Sequence, residues 1–103
     1  MSEMVVIPKR THKVLSRLTR QSRPDVALSL AIKELVRLRI KEVAEKIAGF
    51  EQKYGMIFSE FETACDDGRI QNPYSYEVEK DDFEWEAATS DLAILEDISQ
   101  WLV

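Results

Sequence analysis

Apolar positions recur along this chain mostly at intervals of three and four, the spacing that lines one face of a helix. Val36, Ile40, Val43, Ile47, Phe50 and Tyr54 step by 4, 3, 4, 3 and 4, a 3.5-residue repeat over almost three heptads that reads as a helix-to-helix seam. Leu28, Ile32 and Leu35 form a second apolar line just before it. No breaker stands between Pro24 and Gly49, and Gly55 is placed as a C-cap, so the pattern predicts one helix over residues 24–54. At 1.5 Å per residue it would be about 45 Å long, more than the roughly 30 Å of a compact core of this size. A helix that overhangs its domain calls for a partner. Gly49 inside it points to a close contact or a kink.

The flanking segments read less uniformly. Glu3-Met4-Val5-Val6-Ile7 is short and rich in β-branched residues, and Pro8 ends it, which predicts a strand over residues 3–7. A lone strand leaves its backbone groups unpaired, and the chain offers little else that is strand-like. The same strand of a second chain is the expected partner. Val14, Leu15 and Leu18 predict a helix from Thr11 to Arg20, with Lys13, Arg17 and Arg20 on its other face. Ser22 is a candidate N-cap for the long helix, with Pro24 and Asp25 suited to its first turn. Phe58, Phe61 and Cys65 predict a short helix from Phe58 to Cys65. Residues 68–76 read as a linker with a turn at Asn72-Pro73. Trp85, Ala88, Leu92, Leu95 and Leu102 then stripe a last helix from Val78 to Leu102.

Length allows one domain: 103 residues, 45% of them apolar, bury a real but small core. Composition excludes most site chemistry. Cys65 cannot form an internal disulfide, and one Cys with one His cannot make a four-ligand zinc site. Gly49, Gly55 and Gly68 are scattered, so no glycine-rich phosphate loop exists. His12 is the only histidine. It sits among Lys9, Arg10 and Lys13 as a phosphate contact or a solvated side chain. Cys65 reads as an inert thiol, because nothing nearby in sequence would activate it. The carboxylates from Glu77 to Glu86 fall at spacings that point to different helix faces, which suits a solvated or partner-facing surface better than a metal site. The expected protein has no catalytic residues, no cofactor and no metal. The N terminus shows no signal peptide and no stretch is long enough to span a membrane; with one unpaired cysteine, the reducing cytoplasm is the expected compartment.

Charge divides the chain. Residues 1–50 carry 11 Lys and Arg against 5 Asp and Glu, net +6; residues 51–103 carry 3 against 14, net −11. Such asymmetry predicts two surfaces with different partners, or halves that attract each other. The cations Lys9, Arg10, Lys13, Arg17 and Arg23 are the candidate DNA contacts, suited to the phosphate backbone. Residues 3–7 contain no Lys, Arg, Asn or Gln and so offer few donors for base edges. Val5, Ile7, Val36, Ile40, Val43, Ile47 and Phe50 are the candidate dimer interface. Tyr76, Glu79, Asp82, Phe83, Trp85 and Glu86 combine charge with large aromatics and are the candidate surface for a basic protein partner; the aromatics would equally serve to cap the core.

The order of strand, short helix, turn and longer helix, through Met4 to Pro8, Thr11 to Arg20 and Ser22 to Leu35, resembles the ribbon-helix-helix arrangement that opens many small prokaryotic antitoxins. Ile47 to Phe61, with its Phe50-Glu51-Gln52-Lys53-Tyr54-Gly55-Met56 core, together with Ser75 to Glu79 and Phe83 to Ala87, is similar to small antitoxins encoded beside TumE-type toxins. The resemblance spans about nine-tenths of the chain. It implies a mainly α protein with a short N-terminal strand, a short helix, a long helix, a second short helix and a C-terminal helix. Residues 1–54 would form a basic dimerisation and DNA-binding region, and residues 55–103 an acidic helical partner-binding region. The implied function is an antitoxin that neutralises a cognate toxin as a dimer or higher even oligomer and represses its own operon by binding promoter DNA. The alternative is a stand-alone ribbon-helix-helix-like transcriptional repressor.

Overall fold

The unbroken run after Pro24 forms a single helix in the computed structural model, which describes residues 6–102. Helix α2 spans Pro24–Tyr54; α1, α3 and α4 span Lys9–Thr19, Phe58–Asp66 and Tyr76–Trp101. Local chemistry sets the ends. Pro24 opens α2, Asp25 supplies charge to its first turn, and Gly55 closes it at φ 68° with its N–H on the Glu51 carbonyl at 2.7 Å. Arg23 rather than Ser22 is the N-cap residue. The Ser22 carbonyl instead accepts a 2.9 Å hydrogen bond from His12 Nε2, which ties α1 to the turn that follows it. A carbonyl only accepts, so Nε2 carries the proton there. Ser75 caps α4 by accepting from the Val78 N–H at 3.3 Å. Gly49 lies in the body of α2 with open space where a Cβ would project, so it serves neither a close contact nor a cap.

The expected N-terminal strand and the ribbon-helix-helix fold are not seen among the described residues. Among the described residues there are four helices and no strand. Val6, Ile7 and Pro8 have no ladder to join, because no other described segment supplies one, and a strand without a partner leaves its polar backbone unsatisfied. Ile7 turns instead toward the start of α2, where it lines a cleft with Pro24, Leu28, Ile32 and Leu102. The remainder of the expected strand, including Val5, lies outside the described residues.

The apolar repeat of α2 meets a helix of the same chain. Helix α4 packs back along α2, and the two make the main tertiary interface of the chain. Ile47, Phe50 and Tyr54 pack onto the core around Trp85, while Val43 lies beside Ala88, Ile94 and Leu95, and Val36 and Ile40 beside Ser99 and Leu102. The repeat from Val36 to Tyr54 thus runs along α4 of the same chain, with Val36, Ile40 and Val43 left half-buried. The heptad repeat reports a helix partner correctly but says nothing about whether that partner belongs to the same molecule.

The molecule measures 58 × 29 × 20 Å with a radius of gyration of 19.8 Å, against about 13 Å for a compact chain of 100 residues. Its core is confined to one end. Phe61, Val78 and Trp85 are buried there, with Ile47, Phe50, Tyr54, Met56, Phe58, Cys65 and Ile70 packed around them. At the other end, where α1 lies on the first half of α2, Ala27 is the only buried residue among those described.

Candidate partner-binding surface

Trp85 organises the end of the molecule that carries the acidic surface. Four rings surround its indole: Phe61 at 5.0 Å between centroids, Phe58 at 5.3 Å, Phe50 at 5.5 Å and Tyr54 at 5.9 Å, the last two stacked within 20°. It is 0% exposed. Trp85 therefore leaves the candidate partner surface: it holds α2, α3 and α4 together and has no face to offer. Its neighbours on α4 divide by helical position. Tyr76, Glu79, Phe83 and Glu86 fall at steps of 3, 4 and 3 along one side and are all exposed, Phe83 to 74%. Large exposed aromatics beside carboxylates are the chemistry of an interface that anchors by ring burial and selects by charge.

Asp82 stands at the border of that side and faces α3. Burial pushes its carboxyl above the ordinary 3.8, and the charges of Glu86 and Asp66 push it further. Glu62 on α3 moves up for the same reasons: burial first, then Asp82, Glu86 and Asp66. The Cys65 thiol is raised as well, by burial and then by Asp82, Asp66 and Glu62, which keeps it protonated and unreactive. Four carboxylates from two helices thus face one another, and among the described residues none of them pairs with Lys or Arg. Asp82 Oδ1 is buried without a hydrogen-bond partner there. Glu62 and Asp66 are the part of this surface that sequence reasoning missed. The signal was present, since both sit one step from the apolar line Phe58-Phe61-Cys65, but nothing in the sequence says that α3 turns that edge toward Asp82.

The repulsion has a sign that can be measured. A carboxylate whose folded pKa lies above its unfolded value contributes stability that is present below the unfolded pKa and lost as pH rises through the folded one. The melting temperature should therefore rise as pH falls from 7 toward the ordinary values of 4.5 for Glu62 and 3.8 for Asp82. Asp82→Asn should raise the melting temperature at pH 7 and flatten that rise. Calorimetry across the pH series decides it: an Asp82→Asn protein no more stable than wild type at pH 7 contradicts the repulsion.

Opposite this unpaired cluster is a paired one, also unread from the sequence. Lys53 Nζ, in the last turn of α2, donates to Asp81 Oδ2 at 2.6 Å and to Glu77 Oε1 at 2.8 Å; the Tyr54 hydroxyl donates to the same Asp81 oxygen at 2.5 Å. Burial would raise the Asp81 carboxyl, but the hydrogen bonds from Lys53 and Tyr54 outweigh it and hold it below the ordinary 3.8. Burial and the adjacent Asp81 push the Tyr54 phenol up to about 12. This group is a clasp between α2 and α4 and leaves little carboxylate free for a partner.

The basic candidates occupy the other end. Lys9, Arg10, Lys13 and Arg17 project from α1 into solvent, and Arg23, in the turn, pairs with Asp25 at 2.8 Å. Comparison with protein-family models, with curated proteins and with solved structures gives no match. No helix of the described residues is long and apolar enough to cross a membrane.

Proposed function

We propose that this chain is a non-enzymatic, antitoxin-like interaction protein of the cytoplasm that acts as a homo-oligomer and neutralises a basic partner protein. One observation carries the reading: exposed Tyr76 and Phe83 lie beside Glu79 and Glu86, next to a cluster of carboxylates without cations of their own. A cationic partner placed on Glu62, Asp66, Asp82 and Glu86 relieves repulsion that the free chain carries, and the rings supply area to bury. Promoter DNA is the second partner of this reading, met by the exposed row Lys9, Arg10, Lys13 and Arg17, which suits phosphates.

Co-expression with the product of the adjacent reading frame, followed by co-purification and growth rescue, tests it. Tyr76→Ala and Phe83→Ala should each weaken capture at least tenfold while leaving the melting temperature within about 2 °C of wild type, since neither ring supports the core. Failure of the neighbouring product to co-purify with the wild type, or full protection by the Tyr76→Ala/Phe83→Ala double variant, contradicts the proposal.

A further inference from the structure

Two exposed apolar patches remain at the end of the molecule that lacks a core. The first is a cleft floored by Ala31 and lined by Leu18 of α1 and Leu30, Leu35 and Leu38 of α2, with Glu34 at its edge paired to Arg37; Leu18 is 77% exposed and Leu35 55%. The helix that forms its wall carries Lys9, Arg10, Lys13 and Arg17 and no acid. The second patch is a stripe on α4, Ile94, Ile98 and Trp101, at i, i+4 and i+7. The half of α4 that holds it, Ala87–Trp101, carries Asp91, Glu96 and Asp97 and no base. Both patches sit at the same end, because Leu102, which follows α4, packs beside Leu28 and Ile32 near the start of α2.

We propose that a second copy of this chain covers both patches, the α4 stripe of each copy lying in the α1–α2 cleft of the other. Charge selects this arrangement over like-on-like packing. Cleft against cleft would bring two copies of the basic helix α1 together, and stripe against stripe two acidic halves of α4, whereas stripe in cleft sets the acidic half of α4 beside basic α1 at the edge of an apolar contact. Geometry permits closure: with both patches at one end, the reciprocal contact forms a two-fold dimer instead of a filament. It also accounts for α1, whose eleven residues include none that is buried. A helix of that length does not stand on its own in water, and its present cover is one face of α2. Leaving this much clustered apolar surface open is unusual for a monomer. The inference rests on the homo-oligomer reading above and not on the identity of any toxin.

Sedimentation equilibrium of the full chain, with helicity followed by circular dichroism, tests it. The wild type should be a dimer at micromolar concentration, weakened by added salt. Leu35→Lys and Ile98→Lys should each raise the dimer dissociation constant at least tenfold. Tyr74→Ser, on an exposed loop residue at the opposite end, should not. An equimolar mixture of Leu35→Lys and Ile98→Lys should associate at least tenfold more tightly than either alone, because one cleft and one stripe remain intact across the pair. Leu18→Lys and Trp101→Lys, at two of the most exposed positions, replace either variant that loses helicity. A wild type that stays monomeric at 100 μM overturns both the homo-oligomer and this surface. A wild-type dimer that the variants leave as tight overturns the surface alone. Loss without rescue on mixing overturns the stripe-in-cleft arrangement.

Discussion

Trp85→Ala should be the most destabilising single substitution in this protein. The indole is fully buried and touches four other rings contributed by α2 and α3. Truncating a buried Trp typically costs about 3–5 kcal/mol, through lost transfer energy plus the cavity left behind. The upper part of that range applies, because three separate helices would have to move to close the hole. Total stability for a domain of this size is only about 5–15 kcal/mol, so the loss is a large fraction of it. At roughly 4–8 °C per kcal/mol, the melting temperature should drop by more than about 12 °C. Trp85→Phe should cost less, since a ring remains and the indole N–H, which has no hydrogen-bond partner among the described residues, is removed. Trp101→Ala is the internal comparison: that residue is exposed and its loss should leave the melting temperature of the isolated protomer unchanged. If Trp85→Ala melts like wild type yet loses partner binding, the indole is a contact residue and not the centre of the core.

That residue also shows what the sequence could and could not reveal. Its place on the apolar stripe of the last helix was legible, because Trp85, Ala88, Leu92 and Leu95 recur at helical spacing. The helix bounds were legible for the same reason: Pro24, Gly55 and the Asn72-Pro73 turn punctuate the chain strongly enough to fix α2 and to place α3 and α4 within two residues. Which of two available roles the aromatics play was not legible, because helical periodicity gives a face and not what covers it. The repeat from Val36 to Tyr54 reads the same whether α4 or a second copy lies against it, and length arithmetic favoured a second copy only because a compact body was assumed. The chain instead folds as an elongated hairpin with its core at one end. The expected strand is not seen at Val6 and Ile7, its described part, for a related reason. β-branched composition over residues 3–7 is a weak local preference, and it becomes structure only where a ladder exists to accept it. The acidic surface was half legible. Tyr76, Glu79, Phe83 and Glu86 share a side by counting alone, whereas Glu62 and Asp66 reach Asp82 only through the packing of α3 on α4.

The clasp joining α2 to α4 yields the second large effect, with a pH dependence opposite to that of the acidic cluster. Asp81 is 9% exposed and holds two donors on one oxygen. Replacing it with Ala leaves the Tyr54 hydroxyl without its acceptor at the edge of a packed core and the Lys53 ammonium with Glu77 alone. Hydrogen bonds to a charged group are worth about 1.5–3 kcal/mol, so Asp81→Ala should cost on the order of 2–3 kcal/mol. Tyr54→Phe should cost about 1–2 kcal/mol, because Asp81 keeps its bond from Lys53. The two losses overlap. A double-mutant cycle should therefore show coupling of about 1 kcal/mol, and additive losses would mean that the hydroxyl and the carboxylate do not interact. The pH signature separates this group from its neighbours. A carboxylate held below its unfolded pKa contributes stability that is present above the unfolded value, 3.8 for Asp, and lost as pH falls through the folded one. The repelling pair Glu62 and Asp82 acts on the other side of the same values, stabilising as pH falls toward them. The contribution of these three groups should then peak in mild acid, rising from pH 7 as the α3–α4 cluster takes up protons and falling below 3.8 as the clasp does. Asp81→Asn keeps the shape but removes the charge, so it should lower the peak and abolish the contribution of this residue to the steep acid limb, while Asp82→Asn should flatten the neutral limb. A wild-type profile that declines steadily from pH 7 downward would place the dominant carboxylates elsewhere in the chain.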